Sequence, residues 1–291
     1  YYDESGTVHF AAAEDNWREG LRYINRLYEQ GLIDQALFTQ DLSGLKQVAT
    51  DAEDICGGFS ALGLGLVTAG AGDEVNNRYN YCEPVSGQDG TCYSVVAIPV
   101  PQSNGTITTA CEKPGALFRL MDYMLGEECS TLSRYGKEGE NYVAAPEGLE
   151  SLYGNPATIM VTNSIWMIPQ NTMWQNMLPF VNDIHNNGAG YPPEADTASE
   201  IKNAAATDSY MATEPDNIIP MSNYTLEESE IVNESTSYIT DMVNEGIAKF
   251  TVGEWDIDDD SAWQTYLDEL EGAGLSDFME CAQAAYNRTL E

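Results

Sequence analysis

The sequence predicts an α/β fold whose final third is helical. Runs rich in β-branched residues precede segments with apolar residues every three or four positions, and after Thr225 only helical periodicity remains. A helix over 17–30 follows from Trp17, Leu21, Ile24 and Leu27 on one stripe, with Asn16 and Glu19 at capping-box spacing and Gly31 at its stop. A shorter helix is predicted over 43–50. Residues 54–59, 79–82 and 93–100 read as strands, the last rich in Val and Ile and closed by Pro99 and Pro101. Another strand is expected over 106–110. Pro114 then suits a first helical turn ahead of Leu117, Leu120, Met121 and Met124. Between about 136 and 163 the pattern fades into Gly, Pro and polar residues, as expected of a lobe boundary or a mobile segment. Thr225 and Glu228 form a capping box before a long helix whose apolar stripe is Ile231, Val232, Tyr238, Ile239, Met242 and Val243. Two more amphipathic helices carry Trp263, Tyr266, Leu267 and Leu270, then Leu275, Phe278, Met279, Ala282 and Tyr286. No internal repeat is visible.

The 291 residues are 43% hydrophobic, enough to bury one large core or two smaller ones joined by a hinge. Only 12 Lys and Arg stand against 47 Asp and Glu, a formal net charge of −35. Neutralising phosphates takes clustered Lys and Arg, and no basic run exists, so nucleic acid is excluded as a partner. Anionic lipid surfaces and highly anionic substrates are disfavoured for the same reason. The plainest role of this acidity is to keep an exported protein soluble. No segment approaches the roughly 20 apolar residues of a membrane helix. The softest, 61–71, is short and Gly-rich, so no membrane insertion by this chain is expected. Tyr1-Tyr2-Asp3-Glu4 carries no leader features, so the expectation is that a targeting segment was removed or that the chain starts inside a longer protein. Six cysteines show no C-x-x-C spacing and only two histidines accompany them, which argues against structural zinc. An even count permits disulfides, with buried free thiols as the alternative. Pairing of the strands 79–82 and 93–100 across the polar loop 84–91 would join Cys82 to Cys92.

Signals for covalent chemistry are weak. His9 and His185, the only imidazoles, lie in polar, loop-like surroundings, which disfavours a nucleophilic triad. Gly58-Phe59-Ser60-Ala61-Leu62 lacks the second glycine of a nucleophile elbow. Gly63-Leu64-Gly65 starts like a dinucleotide loop, but Thr68 holds the place of its third glycine, so no nucleotide cofactor is implied. Asp256, Asp258 and Asp260 fit the first three places of a calcium loop, whereas Ser261 and Leu267 occupy its glycine and bidentate glutamate places. These carboxylates are better read as preceding and capping the Trp263 helix, an irregular calcium site being the alternative. The many carboxylates leave a glycoside hydrolase as a second functional class, and an adhesin or structural surface protein as a third.

One segment stands apart. Asn163, Trp166, Gln170, Asn171, Trp174, Gln175 and Asn176 place two indoles and five amides in a short stretch, with Met167, Met173 and Met177 between them. Indole faces stack on sugar C–H faces while amides bond hydroxyls, the chemistry a carbohydrate cleft needs. Packing between lobes is the competing explanation.

The run from Trp17-Arg18-Glu19-Gly20-Leu21 through Leu27-Tyr28-Glu29-Gln30-Gly31-Leu32-Ile33-Asp34, then Phe38-Thr39-Gln40-Asp41, resembles a signature of extracellular solute-binding proteins of ABC importers. The likeness is to lipoprotein-type members of family 1 from Gram-positive bacteria. It continues through Ile107-Thr108-Thr109-Ala110-Cys111-Glu112-Lys113-Pro114, Arg134-Tyr135-Gly136-Lys137-Glu138-Gly139 and Lys249-Phe250-Thr251-Val252-Gly253-Glu254-Trp255, to Gln283-Ala284-Ala285-Tyr286-Asn287-Arg288. The resemblance implies a type II periplasmic-binding-protein-like fold, present as one near-complete lobe plus part of the other. On that basis 1–103 is a second-lobe α/β part, 104–160 a returning segment of the first lobe, and 161–291 the helical second-lobe remainder, with the N-terminal lobe absent. It further implies a cell-surface, lipid-anchored whole protein that hands a solute to an ABC permease without acting on it. An oligosaccharide is the leading solute, with peptides or other small solutes second. Maltose-binding relatives present a Trp in the turn after the strand 54–59, where this chain reads Ser60-Ala61-Leu62-Gly63, so a sugar-stacking ring is missing there. Phe59 and Ser60, at that turn, join Asn163, Trp166, Gln170, Asn171 and Trp174 as candidate ligand contacts.

Overall fold

A computed structural model describes residues 1–53, 55–68, 70–87, 90–94, 105–163, 171, 188–192, 199–219 and 223–290. In chain order its helices are α1 (Asp15–Glu29), α2 (Leu42–Ala49), α3 (Leu64–Thr68), α4 (Asp73–Arg78), α5 (Pro114–Met124) and α6 (Glu127–Tyr135), then α7 (Ser199–Met211), α8 (Leu226–Val252), α9 (Asp260–Gly272) and α10 (Leu275–Thr289). Strands β1 (Tyr142–Ala144), β2 (Ile159–Val161) and β3 (Ala189–Gly190) lie between α6 and α7. The chain divides into two compact units, Tyr1–Gln40 with Pro215–Glu291, and Asp41–Glu214. The divisions expected near 103 and 160 both fall within the span of the second unit.

In the first unit much of the helical stripes anticipated from sequence builds the core, although Ile231 and Tyr238 of α8 stay exposed and Ala282 and Tyr286 of α10 form a second cluster with Val8. Leu21 of α1, Ile239 and Phe250 of α8, and Trp263, Tyr266 and Leu270 of α9 are buried together with Ile257. The rings of Phe250 and Tyr266 meet edge to face, with centroids 5.9 Å apart. Tyr266 is fully buried, and its hydroxyl donates to the Ala12 carbonyl at 3.0 Å, which satisfies its only polar group. Helix α8 starts with the predicted capping box: Glu228 N–H donates to Thr225 Oγ1 at 3.2 Å, and Thr225 N–H to Glu228 Oε2 at 2.7 Å. Its other end is sealed from α1, where Asn25 Nδ2 donates to the carbonyls of Phe250 (3.1 Å) and Thr251 (3.2 Å). Gly31, at φ +70°, ends α1 as expected, with Leu32 N–H bonding Leu27 O at 2.9 Å and Gly31 N–H bonding Tyr28 O at 2.9 Å. The start of α1 differs from the sequence reading. The helix begins at Asp15, after Glu14, and no Asn16–Glu19 capping box forms; Glu19 pairs instead with Arg22.

In the second unit β1 pairs antiparallel with β2, in the register Tyr142 with Val161, and β2 pairs parallel with β3. Val161, Ala189, Tyr135 and Tyr191 form the buried cluster behind this small sheet. These strands lie partly where the sequence pattern fades, because each apolar run is only two or three residues long and polar turn residues surround it. Conversely, residues 55–59, 79–82, 93–94 and 106–110 carry no strand. Their polar groups find other partners: Ser94 N–H donates to Thr213 O at 3.1 Å, Ser94 Oγ contacts Thr213 Oγ1 at 2.6 Å, and Cys111 N–H closes a turn on Thr108 O at 3.1 Å. High β propensity is realised only against a neighbouring strand, and these segments have none among the described residues. The described part of the chain is therefore richer in helix than the alternating pattern predicted.

Candidate ligand-binding site

The best-defined of the sequence-predicted contacts is the loop 55–63 of the second unit, which is tethered at both ends. The Tyr79 hydroxyl sits between the carbonyls of Ala49 (2.8 Å) and Cys56 (3.3 Å), tying the loop entry to the end of α2. At the exit, Leu64 N–H donates to Asn203 Oδ1 on α7 at 3.2 Å. Gly63 makes that approach possible, since a Cβ there would stand 2.9 Å from Asn203 Nδ2. Tyr79 is itself fixed by Lys202 of α7, whose Nζ donates to Tyr79 O at 2.6 Å and to Asn76 O at 2.7 Å, beside the C-terminal end of α4. Phe59 lays its ring edge-on to Tyr79, with centroids 5.0 Å apart at 64°, and is half-buried, whereas Ser60 is exposed. Leu62 stands 97% exposed at the tip. Lys202 and Asn203, which hold this loop from α7, carry no local signal in the sequence, and Tyr79 is legible there only as the start of an expected strand.

The second candidate segment begins where β2 ends. Thr162 and Asn163 N–H groups both donate to the Asn141 carbonyl, at 3.0 and 3.1 Å, while the buried Asn141 side chain accepts from Lys137 N–H at 3.0 Å. The Asn163 and Asn171 side chains are exposed. Trp166, Gln170 and Trp174 lie outside the described residues. No hydrogen bond or ring contact joins Asn163 or Asn171 to the Phe59 loop among the described residues.

The thiols Cys56, Cys82, Cys92, Cys111, Cys129 and Cys281 are all free. Cys92 Sγ contacts the Pro84 carbonyl at 3.6 Å rather than Cys82. The paired strands from which the Cys82–Cys92 bridge was expected are not formed in the described parts of 79–82 and 93–100.

The carboxylates Asp256, Asp258 and Asp260 and the imidazole of His9 are each engaged by neighbouring groups. Asp258 binds Arg22 at 2.6 Å, Asp260 binds Arg18 at 2.8 Å, and Asp256 Oδ1 accepts Asp258 N–H at 2.9 Å. The capping residue of α9 is Asp259, which accepts Ser261 N–H at 2.8 Å. Among the described residues no group of three His, Cys, Asp or Glu side chains is placed to hold a metal ion. His9 is clamped between Asp3 and Glu14, each at 3.1 Å, which raises its pKa mainly through the bond to Asp3. Ser5 Oγ donates to Asp3 Oδ1 at 2.6 Å, and both imidazole nitrogens are taken up by carboxylates. His185 lies outside the described residues.

A separate groove of about 790 Å³ lies in the first unit, lined by residues of α8, the end of α9 and the start of α10. None of the sequence-predicted contacts lines it.

No family model matches the chain, and no curated protein matches it. Solved structures do. The Streptococcus pneumoniae ABC-transporter substrate-binding protein FusA, in complex with kestose, is 18% identical with a TM-score of 0.69 over 99% of this chain and 57% of that one. A human-milk-oligosaccharide-binding solute-binding protein from Bifidobacterium longum infantis is 15% identical, with a TM-score of 0.62 over 98% of this chain and 56% of that one. The alginate-binding protein AlgQ2 is 17% identical with a TM-score of 0.57 over 99% and 57%. At these identities the likeness is one of fold. Over nearly its whole length the chain has the fold of substrate-binding proteins of ABC transporters, and it spans a little over half the length of the structures it matches.

Proposed function

We propose that this chain belongs to a solute-binding protein that captures an oligosaccharide outside the cell and delivers it to an ABC permease without covalent chemistry. What carries the reading is the agreement of fold over 98 to 99% of the chain with proteins whose names specify sugar binding, in one case with kestose bound. In this reading the type II arrangement assigns 1–103 and 161–291 to the second lobe and 104–160 to the first, and the solute lies where the two close. The whole protein is cell-surface and lipid-anchored. Trp166 and Trp174 stack on the sugar, with Asn163, Gln170, Asn171, Phe59 and Ser60 bonding or flanking it.

Charge narrows the solute. Alginate is a polyuronate, and a net charge of −35 with only 12 Lys and Arg repels it, whereas neutral fructans or milk oligosaccharides are indifferent to that field. A neutral oligosaccharide is therefore the preferred class. The loop Ser60-Ala61-Leu62-Gly63, without a ring, disfavours maltose-like sugars.

Helix α5 supports a two-lobed whole. It is apolar on several sides, yet no residue of it is buried, with Phe118 63%, Leu120 53% and Tyr123 59% exposed. So wide an apolar surface is stable in water only when covered, which suits a segment that packs against the rest of a lobe.

The test is a thermal-shift and calorimetric screen against kestose, nystose, milk oligosaccharides, maltotriose and alginate oligomers, with chromatography of the sugar afterwards. Saturable stabilisation by a neutral sugar, recovered intact, is expected; a ligand at about 100 times its Kd adds roughly 2.7 kcal/mol. Cleavage of the sugar would establish the glycosidase reading instead, and saturation only by a peptide would overturn the sugar.

A further inference from the structure

We propose that the groove of the first unit docks a basic amphipathic helix of a partner protein, independently of the solute captured. Ile231, Tyr238 and Met242 fall on one stripe of α8 and form an apolar wall facing the α9–α10 junction. Two of them remain open to solvent, Tyr238 at 62% and Ile231 at 41%, although they sit beside a well-packed core. The rim is anionic. Glu234 of α8, Glu269 of α9 and Asp277 of α10 each face the groove, and none is held by a cation within salt-bridge distance among the described residues; Glu245, at one end, is paired with Lys249 at 2.6 Å.

Size and charge together select the occupant. The lining of α8 runs from Ile231 to Glu245, four turns or about 21 Å at 1.5 Å per residue. That length matches three to four turns of a second helix better than a compact solute, and an apolar wall between acidic rims matches a helix with apolar anchors flanked by Lys and Arg. A Lys or Arg side chain can also lie over the exposed Tyr238 ring while its charge faces a rim carboxylate. An anionic or neutral helix would leave the rim carboxylates desolvated without partners, which costs more than the apolar wall returns.

The experiment is fluorescence anisotropy with a labelled peptide of about 15 residues, made of Leu and Lys in helical amphipathic order, titrated with the full chain. The comparison peptide has the same composition in scrambled order. Saturable binding of the amphipathic peptide is expected, with affinity at least about tenfold above the scrambled one. Glu234→Gln with Glu269→Gln should weaken it about tenfold, as should Tyr238→Ala, an exposed site whose truncation leaves the fold intact. Glu147→Gln with Glu150→Gln, exposed carboxylates of the second unit, removes the same charge elsewhere and should leave binding unchanged. Equal binding of both peptides, or equal loss in the distal double variant, would reduce the effect to attraction by net charge and overturn the proposal. Full displacement by spermine at equal charge would point to a small polycation and overturn the helix.

Discussion

Gly246→Ala is expected to destabilise the first unit, against the sign that helix propensity alone gives. In the interior of α8 that exchange should add about 1 kcal/mol, since glycine carries extra backbone freedom in the unfolded chain. An added Cβ, however, would stand 2.6 Å from Tyr266 Cε2 and 2.7 Å from Cδ2. The ring cannot retreat easily, because it is fully buried, packs on Phe250 and Trp263, and is tethered through its hydroxyl to Ala12. Overpacking of this kind costs roughly 1–3 kcal/mol, so the net loss should be about 1 kcal/mol. Urea unfolding followed by circular dichroism measures it through the midpoint at constant m. The sharper readout is a double-mutant cycle. In a Tyr266→Ala background, itself losing about 3–5 kcal/mol, the obstacle is gone and Gly246→Ala should become stabilising. If Gly246→Ala stabilises the native protein, or keeps its sign in the Tyr266→Ala background, the close approach of α8 to the Tyr266 ring is not what holds glycine there.

Thr251→Val should raise stability by about 1 kcal/mol, because Thr251 is fully buried and its Oγ1 has no hydrogen-bond partner among the described residues; a loss on urea unfolding would mean the hydroxyl is satisfied. Thr225→Ala should cost about 1 kcal/mol by removing the cap at the start of α8, with Thr225→Ser restoring most of it. His9 has its pKa raised by Asp3 and Glu14, so its stabilising contribution is complete below the unfolded value near 6.5 and is lost as pH rises through the folded value. Replacing His9 with Gln should flatten the stability profile above pH 6.5 and shrink the acid limb without abolishing it, because Ser5 as well as His9 holds the Asp3 carboxylate in its charged form. Trp166→Ala and Trp174→Ala should each weaken sugar binding by about tenfold while leaving the apo melting temperature unchanged; unchanged affinity with a large melting loss would assign the rings to packing. Phe118→Ser in α5 should change the stability of the chain by less than about 0.5 kcal/mol and reduce binding of a hydrophobic dye, where a core residue would lose several.

The parts of the fold legible in the sequence are those governed by rules acting within about four residues. The capping box of Thr225 and Glu228, the Gly31 stop and the stripes of α1, α8, α9 and α10 are all local hydrogen-bonding or periodicity statements, and the structure has a counterpart for each, except that Ile231 and Tyr238 of the α8 stripe are exposed. The strands were not legible for the opposite reason. Residues 106–110 have β-branched character but no partner strand among the described residues, while Tyr142–Ala144 and Ile159–Val161 have partners but too few residues to show alternation. Pairing is a non-local property, and propensity reports only half of it. The loop holding Phe59 illustrates the same limit for the site: its anchors Tyr79, Lys202 and Asn203 are distant in sequence, and nothing in the spacing of any one of them announces the others.

Helix α5 is the informative case between these extremes. Leu117, Leu120, Met121 and Met124 make one apolar face, but Phe118 and Tyr123 carry apolar surface to other sides, and no residue of the helix is buried. A soluble helix normally confines apolar residues to the face it buries, and contiguous exposed apolar surface beyond a few hundred Å² marks an interaction site. The first unit shows what the chain does when a core is complete, with Leu21, Phe250 and Leu270 all at or below 5% exposure. Helix α5 differs from these helices in that none of its residues is buried.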